Sequence, residues 1–250
     1  MKLKIALIVG TRPDIIKMWP VYQALSQQSH LETVVIQSGQ HDSLATQAFN
    51  SFGFSPDRVL PIRDEEKTEL GDLHSALVKN FTYVFKELEK PDLVLVHGDT
   101  TTAFSASVAA FLLNIPIGHI EAGLRTSRFE YPFPEEGFRR AISRFTTLHF
   151  APTLESAYNL RDENIIKNVF ITGNTIVDSL NHISSKEEYY GYKPSVLVTC
   201  HRRESYGLSL KQLCDSIIEI SKYCPVVWPV HSNPKIKNIV VENLDGLDNI

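Results

Sequence analysis

The strongest constraint on this chain is an alternation. Short, unbroken apolar runs are separated by longer stretches in which apolar residues recur every three or four positions. The runs are Ile5–Val9, Thr33–Ile36, Leu93–Val96, Ile115–Ile120, Leu148–Ala151, Val169–Thr172, Val196–Thr199 and Val226–Val230. Continuous rather than alternating hydrophobicity is what a strand needs when both faces of its sheet are covered, as in parallel sheets. Between runs, Leu70, Leu73, Leu77, Phe81, Val84 and Leu88 form one helical stripe, and Leu210, Leu213, Ile217 and Ile220 form another. Strand, helix, strand in this order predicts βαβ crossovers and a doubly wound α/β fold. At 250 residues, 43% of them apolar, the chain is long enough for one large or two modest domains with a real core.

One shift in composition interrupts the pattern. A short helix over Thr175–Ile183 is followed by the polar, tyrosine-rich stretch SSKEEYYGYKP and then a fresh strand. This divides the chain into an N-terminal Rossmann-like domain over 1–175, a crossing segment over 176–194, and the start of a second Rossmann-like domain over 195–250. The second domain is expected to hold two strands and one helix, too few to bury both faces of a sheet. The sequence therefore reads as part of a longer protein, or as one whose second sheet is covered by something else.

Charge excludes some functions. Twenty-five basic residues against 29 acidic ones leave a net charge of −4, so no broad cationic face is available to displace phosphate counterions from nucleic acid. The run Ile5–Val9 is far too short to span a bilayer, and no membrane insertion is expected. Three cysteines, Cys200, Cys214 and Cys224, give neither a disulfide framework nor a metal knuckle, and a reducing cytoplasm is the simplest compartment.

In open parallel sheets the ligand crevice lies beyond the carboxyl ends of the strands. Five strand ends in this sequence deliver charge or imidazole: Gly10-Thr11-Arg12-Pro13-Asp14-Ile15-Ile16-Lys17, His97-Gly98-Asp99-Thr100, Glu121-Ala122-Gly123-Leu124-Arg125, Cys200-His201-Arg202-Arg203-Glu204 and His231-Ser232-Asn233-Pro234. Arg12, Lys17, Arg125, Arg202 and Arg203, with helix N-termini after Thr11 and Thr100, suit a phosphorylated ligand. No GxGxxG follows a strand and no GxxxxGK[ST] occurs, which disfavours a fingerprint-bound redox dinucleotide and a P-loop nucleotide. Asp99, Glu121, Glu135 and Glu136 would repel an anionic ligand unless they have acid–base work to do.

Each candidate has a plainer reading. Asp99 could cap the helix that follows it, and Glu135 and Glu136 could be the acidic first turn of another. His97, His119 and His149, inside or beside apolar strands, read as packed core histidines. His201 and His231 follow strands and read as functional, while Arg202-Arg203-Glu204 could be a solvated turn. Cys200 lacks an orienting partner for a nucleophile.

The segments GTRPDIIKM, VHGDTTT, GHIEAGLRT, PFPEE, GNTIVDSL, HRRES and PVHSNP resemble, in order and spacing, the signatures of the non-hydrolysing UDP-N-acetylglucosamine 2-epimerases. The resemblance implies a GT-B-like fold, with substrate between two Rossmann-like domains. It implies reversible C2 epimerisation of UDP-N-acetylglucosamine to UDP-N-acetylmannosamine for surface polysaccharide precursors, by a cytoplasmic homodimer needing no cofactor or metal. It further implies that Arg12, Lys17, Asp99, Glu121 and His201 line the substrate site. Asp99, Glu121 and Glu135 would be the acid/base carboxylates and His201 the partner of the departing diphosphate. Gln40, Glu136, Arg202, Arg203 and His231 would hold a second, activating UDP-N-acetylglucosamine. Two positions depart from the family: Phe138 stands before Arg139 where an asparagine is usual, with loss of a polar contact near Glu135 expected, and Leu44 stands where methionine is common. The family's later Ser-Gly-Gly and Gln-Glu-Glu segment would lie beyond Ile250, so the second domain is expected to be incomplete and the isolated chain to turn over little or nothing. A hydrolysing relative, a GT-B glycosyltransferase and a non-catalytic remnant are the alternatives.

Overall fold

The computed structural model describes residues 2–39, 42–63, 69–87, 90–185, 194–200, 208–230, 234–247 and 249–250. The chain divides into two compact units, Met1–Lys186 and Glu187–Ile250.

The first unit runs β1 (Leu3–Val9), α1 (Arg12–Ser26), β2 (Leu31–Gln37), α2 (Asp42–Phe52), β3 (Arg58–Val59), α3 (Leu70–Glu87), β4 (Leu93–His97), α4 (Thr101–Leu112), β5 (Ile117–Ile120), α5 (Glu135–Phe145), β6 (Leu148–Ala151), α6 (Leu154–Asp162), β7 (Val169–Ile171) and α7 (Ile176–Ser184). Its strands form one sheet in the order β3-β2-β1-β4-β5-β6-β7, with every neighbouring pair parallel. The expected α/β class and parallel sheet are therefore present.

Alternate residues of each central strand bury opposite faces, which is why their apolar runs are unbroken. Ala6, Ile8, Ile36, Val94 and Val96 pack with Leu73, Leu77, Phe81 and Phe85 of α3 and Ala103, Ala106 and Ala110 of α4. Ile5, Leu7, Val9, Val35 and Leu95 pack on the other side with Ile15 and Met18 of α1 and Ala45, Ala48 and Phe49 of α2. Each large side chain removed from water this way contributes about 1.5–3 kcal/mol. In the α3 stripe Leu73, Leu77, Phe81 and Val84 are buried, Leu70 is exposed, and Leu88 lies outside the described residues.

The second unit holds β8 (Val196–Leu197), α8 (Leu208–Ser221), β9 (Val226–Val227) and α9 (Pro234–Leu244), with β8 and β9 parallel. Leu210, Cys214 and Ile217 of α8 pack with Val226 and with Ile236, Val240 and Leu244 of α9. Among the described residues two helices thus accompany the two strands, where one was expected: the i, i+4, i+8 spacing of Ile236, Val240 and Leu244 follows a proline-marked start at Pro234. The strands at 196 and 226 are also shorter than their apolar runs, because pairing covers only Val196↔Val226 and Leu197↔Val227.

Candidate active site

β1, β4 and β5 are adjacent in the sheet, and the chain leaves their C-terminal ends at Gly10, Gly98 and Glu121. At the first exit, Thr11 caps α1 and Asp14 completes a capping box: the Gly10 and Thr11 amides donate to Asp14 Oδ2 at 3.2 and 3.0 Å. Gly10 has to be glycine, because a Cβ there would lie 2.2 Å from Thr102 Oγ1 and 2.9 Å from Ser38 Oγ. At the second exit, Thr100 rather than Asp99 caps α4, accepting from the Ala103 amide at 3.2 Å. The capping alternative for Asp99 is therefore corrected: its carboxylate is free of that duty and pairs instead with Arg139 of α5. At the third exit, Glu121 has φ +67°, a left-handed backbone that a non-glycine residue keeps only when its surroundings fix it.

Those surroundings converge on the Glu121 carboxylate. Lys17 Nζ of α1 donates to Oε1 at 2.7 Å and Asn174 Nδ2 donates to the same oxygen at 2.9 Å. His97 Nε2 lies 3.3 Å from Oε2, while its Nδ1 lies 3.5 Å from Asp14 Oδ1. Burial pushes the Glu121 carboxyl up, but His97, Lys17 and Asn174 outweigh it and hold the group below its ordinary value. Asp99 goes the other way. Burial raises its carboxyl, Arg139 pulls it partly back, and the nearby Glu121 and Glu135 add to the rise. Two carboxyls on neighbouring strand ends are thereby displaced in opposite directions from their ordinary values.

Two buried histidines lie side by side on β5 and β6. His119, wholly buried, is pushed down to about 3 by desolvation, so it is neutral near pH 7. Its Nε2 faces the Gly98 carbonyl at 2.7 Å and must be the protonated nitrogen, since a carbonyl only accepts. His149, its register partner on β6, is pushed down to about 4, again first by burial. Both fit the core reading. His97 does not: it is buried, but among carboxylates, and the apolar neighbours Leu95 and Val96 hide this in the sequence.

Of the other expected site residues, Arg12 is exposed at the first turn of α1. Glu135 opens α5, where its Oε2 is buried with no hydrogen-bond partner. Glu136 is fully buried; it accepts from the Thr126 amide at 3.1 Å and pairs with Arg140 at 2.7 Å and Arg139 at 3.4 Å. His201, Arg202, Arg203, Gln40 and His231 lie outside the described residues. Arg125, counted among the cations for a phosphorylated ligand, is corrected: its guanidinium clasps Glu163 at 2.7 and 2.9 Å and Ser143 at 3.1 Å. Phe138, the departure noted beside Arg139, stacks on Phe104 at 4.5 Å between ring centres, and Phe104 stacks on His74 at 4.9 Å. Asp14, His97, Arg139 and Asn174 were not singled out as site residues, although Asp14, His97 and Asn174 fall within the quoted motifs GTRPDIIKM, VHGDTTT and GNTIVDSL. Among the described residues, no helix is long and apolar enough to cross a membrane, and no group of three His, Cys, Asp or Glu is arranged to hold a metal ion.

Fold and cluster define an α/β protein with acidic and basic groups gathered at the exits of a parallel sheet, where proton transfer to a bound ligand can be organised. The chain belongs to the UDP-N-acetylglucosamine 2-epimerase family, whose model matches residues 23–250. It is 38% identical to the UDP-N-acetylglucosamine 2-epimerase of Yersinia pestis over 99% of this chain and 70% of that protein. Among solved structures it is similar to the UDP-GlcNAc 2-epimerase from Neisseria meningitidis bound to UDP-GlcNAc, with a TM-score of 0.89, 36% identity, and coverage of 99% of this chain and 71% of the other. It is equally similar to the S. aureus MnaA–UDP structure, with a TM-score of 0.88, 36% identity, and coverage of 100% and 68%. These matches bear out the α/β, GT-B-like fold and the family resemblance.

Proposed function

We propose that the protein interconverts UDP-N-acetylglucosamine and UDP-N-acetylmannosamine by eliminating UDP and adding it back. The observation that carries this reading is the gathering of Asp99 and Glu121 at adjacent strand exits, with Lys17, Asn174, His97 and Arg139 set against their carboxylates. The C2 proton of the sugar is not α to a carbonyl, so direct removal is prohibitively uphill. As the C1–O bond to UDP breaks, positive charge develops at C1 and acidifies the C2 proton. A carboxylate takes that proton, the C–H electrons form the C1–C2 double bond, and 2-acetamidoglucal and UDP result. Protonation at C2 from the other face and return of the diphosphate oxygen to C1 give the epimer. Glu121, whose carboxyl His97, Lys17 and Asn174 hold below its ordinary value, suits the base, and Asp99, whose carboxyl burial raises, suits the acid, with roles exchanged in reverse. Glu135 stands beside them, Arg12, Lys17 and His201 belong to the substrate site, and His201 meets the departing diphosphate. Gln40, Glu136, Arg202, Arg203 and His231 are assigned to an activating second nucleotide sugar. The reading brings with it a cytoplasmic homodimer serving surface-polysaccharide precursors.

The test is turnover of UDP-N-acetylglucosamine in D2O, followed by NMR. Deuterium at C2 of UDP-N-acetylmannosamine, with scrambling of an ¹⁸O label out of the C1–O–P bridge, supports elimination and re-addition. Free N-acetylmannosamine with UDP marks a hydrolysing enzyme instead, and retention of the C2 proton removes proton abstraction altogether. Asp99→Asn and Glu121→Gln should each lower turnover by roughly 10²–10⁴-fold with an unchanged circular dichroism spectrum. Near-normal rates in either variant would withdraw the acid/base assignment.

A further inference from the structure

His97 has no place in the acid/base scheme, yet its position is the least expected feature of the cluster. Both ring nitrogens are buried without a hydrogen bond of ordinary geometry, and each faces a carboxylate oxygen: Nδ1 toward Asp14 at 3.5 Å and Nε2 toward Glu121 at 3.3 Å. A neutral imidazole has one N–H and one lone pair. It can therefore donate to only one of two carboxylates, and its other nitrogen would set a lone pair against the oxygen opposite. The arrangement is self-consistent when both gaps hold a proton. The surrounding charged and titratable groups are Asp14 and Lys17 from α1, Glu121 beyond β5, and His119 on β5, itself neutral near pH 7.

We propose that His97 is a positioning residue for Glu121, sharing one proton with the Glu121 carboxylate through Nε2 while a second, on Nδ1, ties the ring to Asp14. The shared proton has two seats. When Glu121 is anionic it rests on Nε2; when it crosses, the N–H bond breaks as the Oε2–H bond forms, leaving a neutral ring against a neutral carboxyl. No proton enters from water in this step, and the charge of the pair is unchanged. Glu121 Oε1 is held by Lys17 and Asn174, so His97 governs the remaining oxygen. Asp14 serves twice, since its Oδ2 closes the capping box of α1 while Oδ1 faces the ring. The strand exit, the helix start and the carboxylate are thereby fixed together. The catalytic half of this inference rests on the proposed epimerase chemistry; the proton arrangement does not.

The decisive measurement uses the ligand-free, full 250-residue chain labelled with ¹⁵N-histidine. Long-range ¹H–¹⁵N correlation at neutral pH should show His97 with both nitrogens protonated or in fast exchange with a protonated form, and the pattern should change in Asp14→Asn and in Glu121→Gln. A single fixed tautomer that neither substitution disturbs would overturn the proposal. In the active enzyme, His97→Gln should lower kcat by roughly 10–100-fold, a smaller loss than that of an acid or base itself, with KM little changed and the pH–rate profile displaced. Wild-type turnover with an unaltered profile in His97→Gln would also overturn it. Absence of wild-type turnover would instead count against the epimerase reading and leave the ring-nitrogen measurement to decide.

Discussion

Asp99 and Glu121 carry the same functional group on neighbouring strand ends, and what separates them is the company each keeps. Glu121 is surrounded by donors and cations, whereas at Asp99 the guanidinium of Arg139 is set against burial and two like charges. Removing that cation has a definite sign. In Arg139→Gln the guanidinium that lowers Asp99 is lost, so whichever limb of the pH–rate profile belongs to Asp99 should move to higher pH. A shift to lower pH, or none, would detach Arg139 from the site. Arg139 illustrates what one-dimensional reading conceals. It lies 40 residues from Asp99, and nothing in its own neighbourhood marks it apart from Arg140, which turns to Glu136 and Glu163 instead. Lys17 and Glu121 were legible because each follows a strand, and strand exits are where a parallel sheet gathers its ligands.

Helices and strands were legible in proportion to what they bury. β1 and β4 contribute alternate residues to two apolar layers, so Ile5–Val9 and Leu93–Val96 are apolar without a break. β3 is two exposed residues, Arg58 and Val59, recognised only by pairing with Ile36 and Gln37, and no periodicity could announce it. α6 is half polar and starts from Thr153, whose hydroxyl accepts from the Ser156 amide at 3.1 Å, a cap that composition alone does not single out. The close fit of α6 against the β5 exit yields a prediction. Gly123 has φ +86°, and a Cβ there would lie 2.1 Å from the Ser156 carbonyl oxygen. Gly123→Ala meets both an unfavourable backbone and a rigid obstacle, and should cost about 2–4 kcal/mol in urea unfolding. A loss below about 0.5 kcal/mol, the range of ordinary surface substitutions, would show that α6 can retreat freely.

The buried histidines give the whole protein a pH signature. His119 is pushed down to about 3 and His149 to about 4, whereas in the unfolded chain each titrates near the ordinary histidine value of 6.5. The unfolded state therefore binds protons that the folded state refuses. Stability from this source is complete above pH 6.5 and drains away as the pH falls toward those folded values. One such proton gives a slope of about 1.4 kcal/mol per pH unit. His119→Gln keeps a donor for the Gly98 carbonyl but does not titrate, so denaturant midpoints measured from pH 7 to 4 should fall less steeply than in the wild type. An equally steep fall would mean that other groups govern acid unfolding.

The three nitrogen groups at Glu121 come from distant parts of the chain: Lys17 lies 104 residues before it, and Asn174 lies 53 residues after it. Such contacts form late, because the intervening loops have to close before they are rewarded. During refolding, helical signal should return well ahead of the ability to bind or turn over a nucleotide sugar. Competence would then act as a clock for the first unit, reading complete only when its last strand has docked.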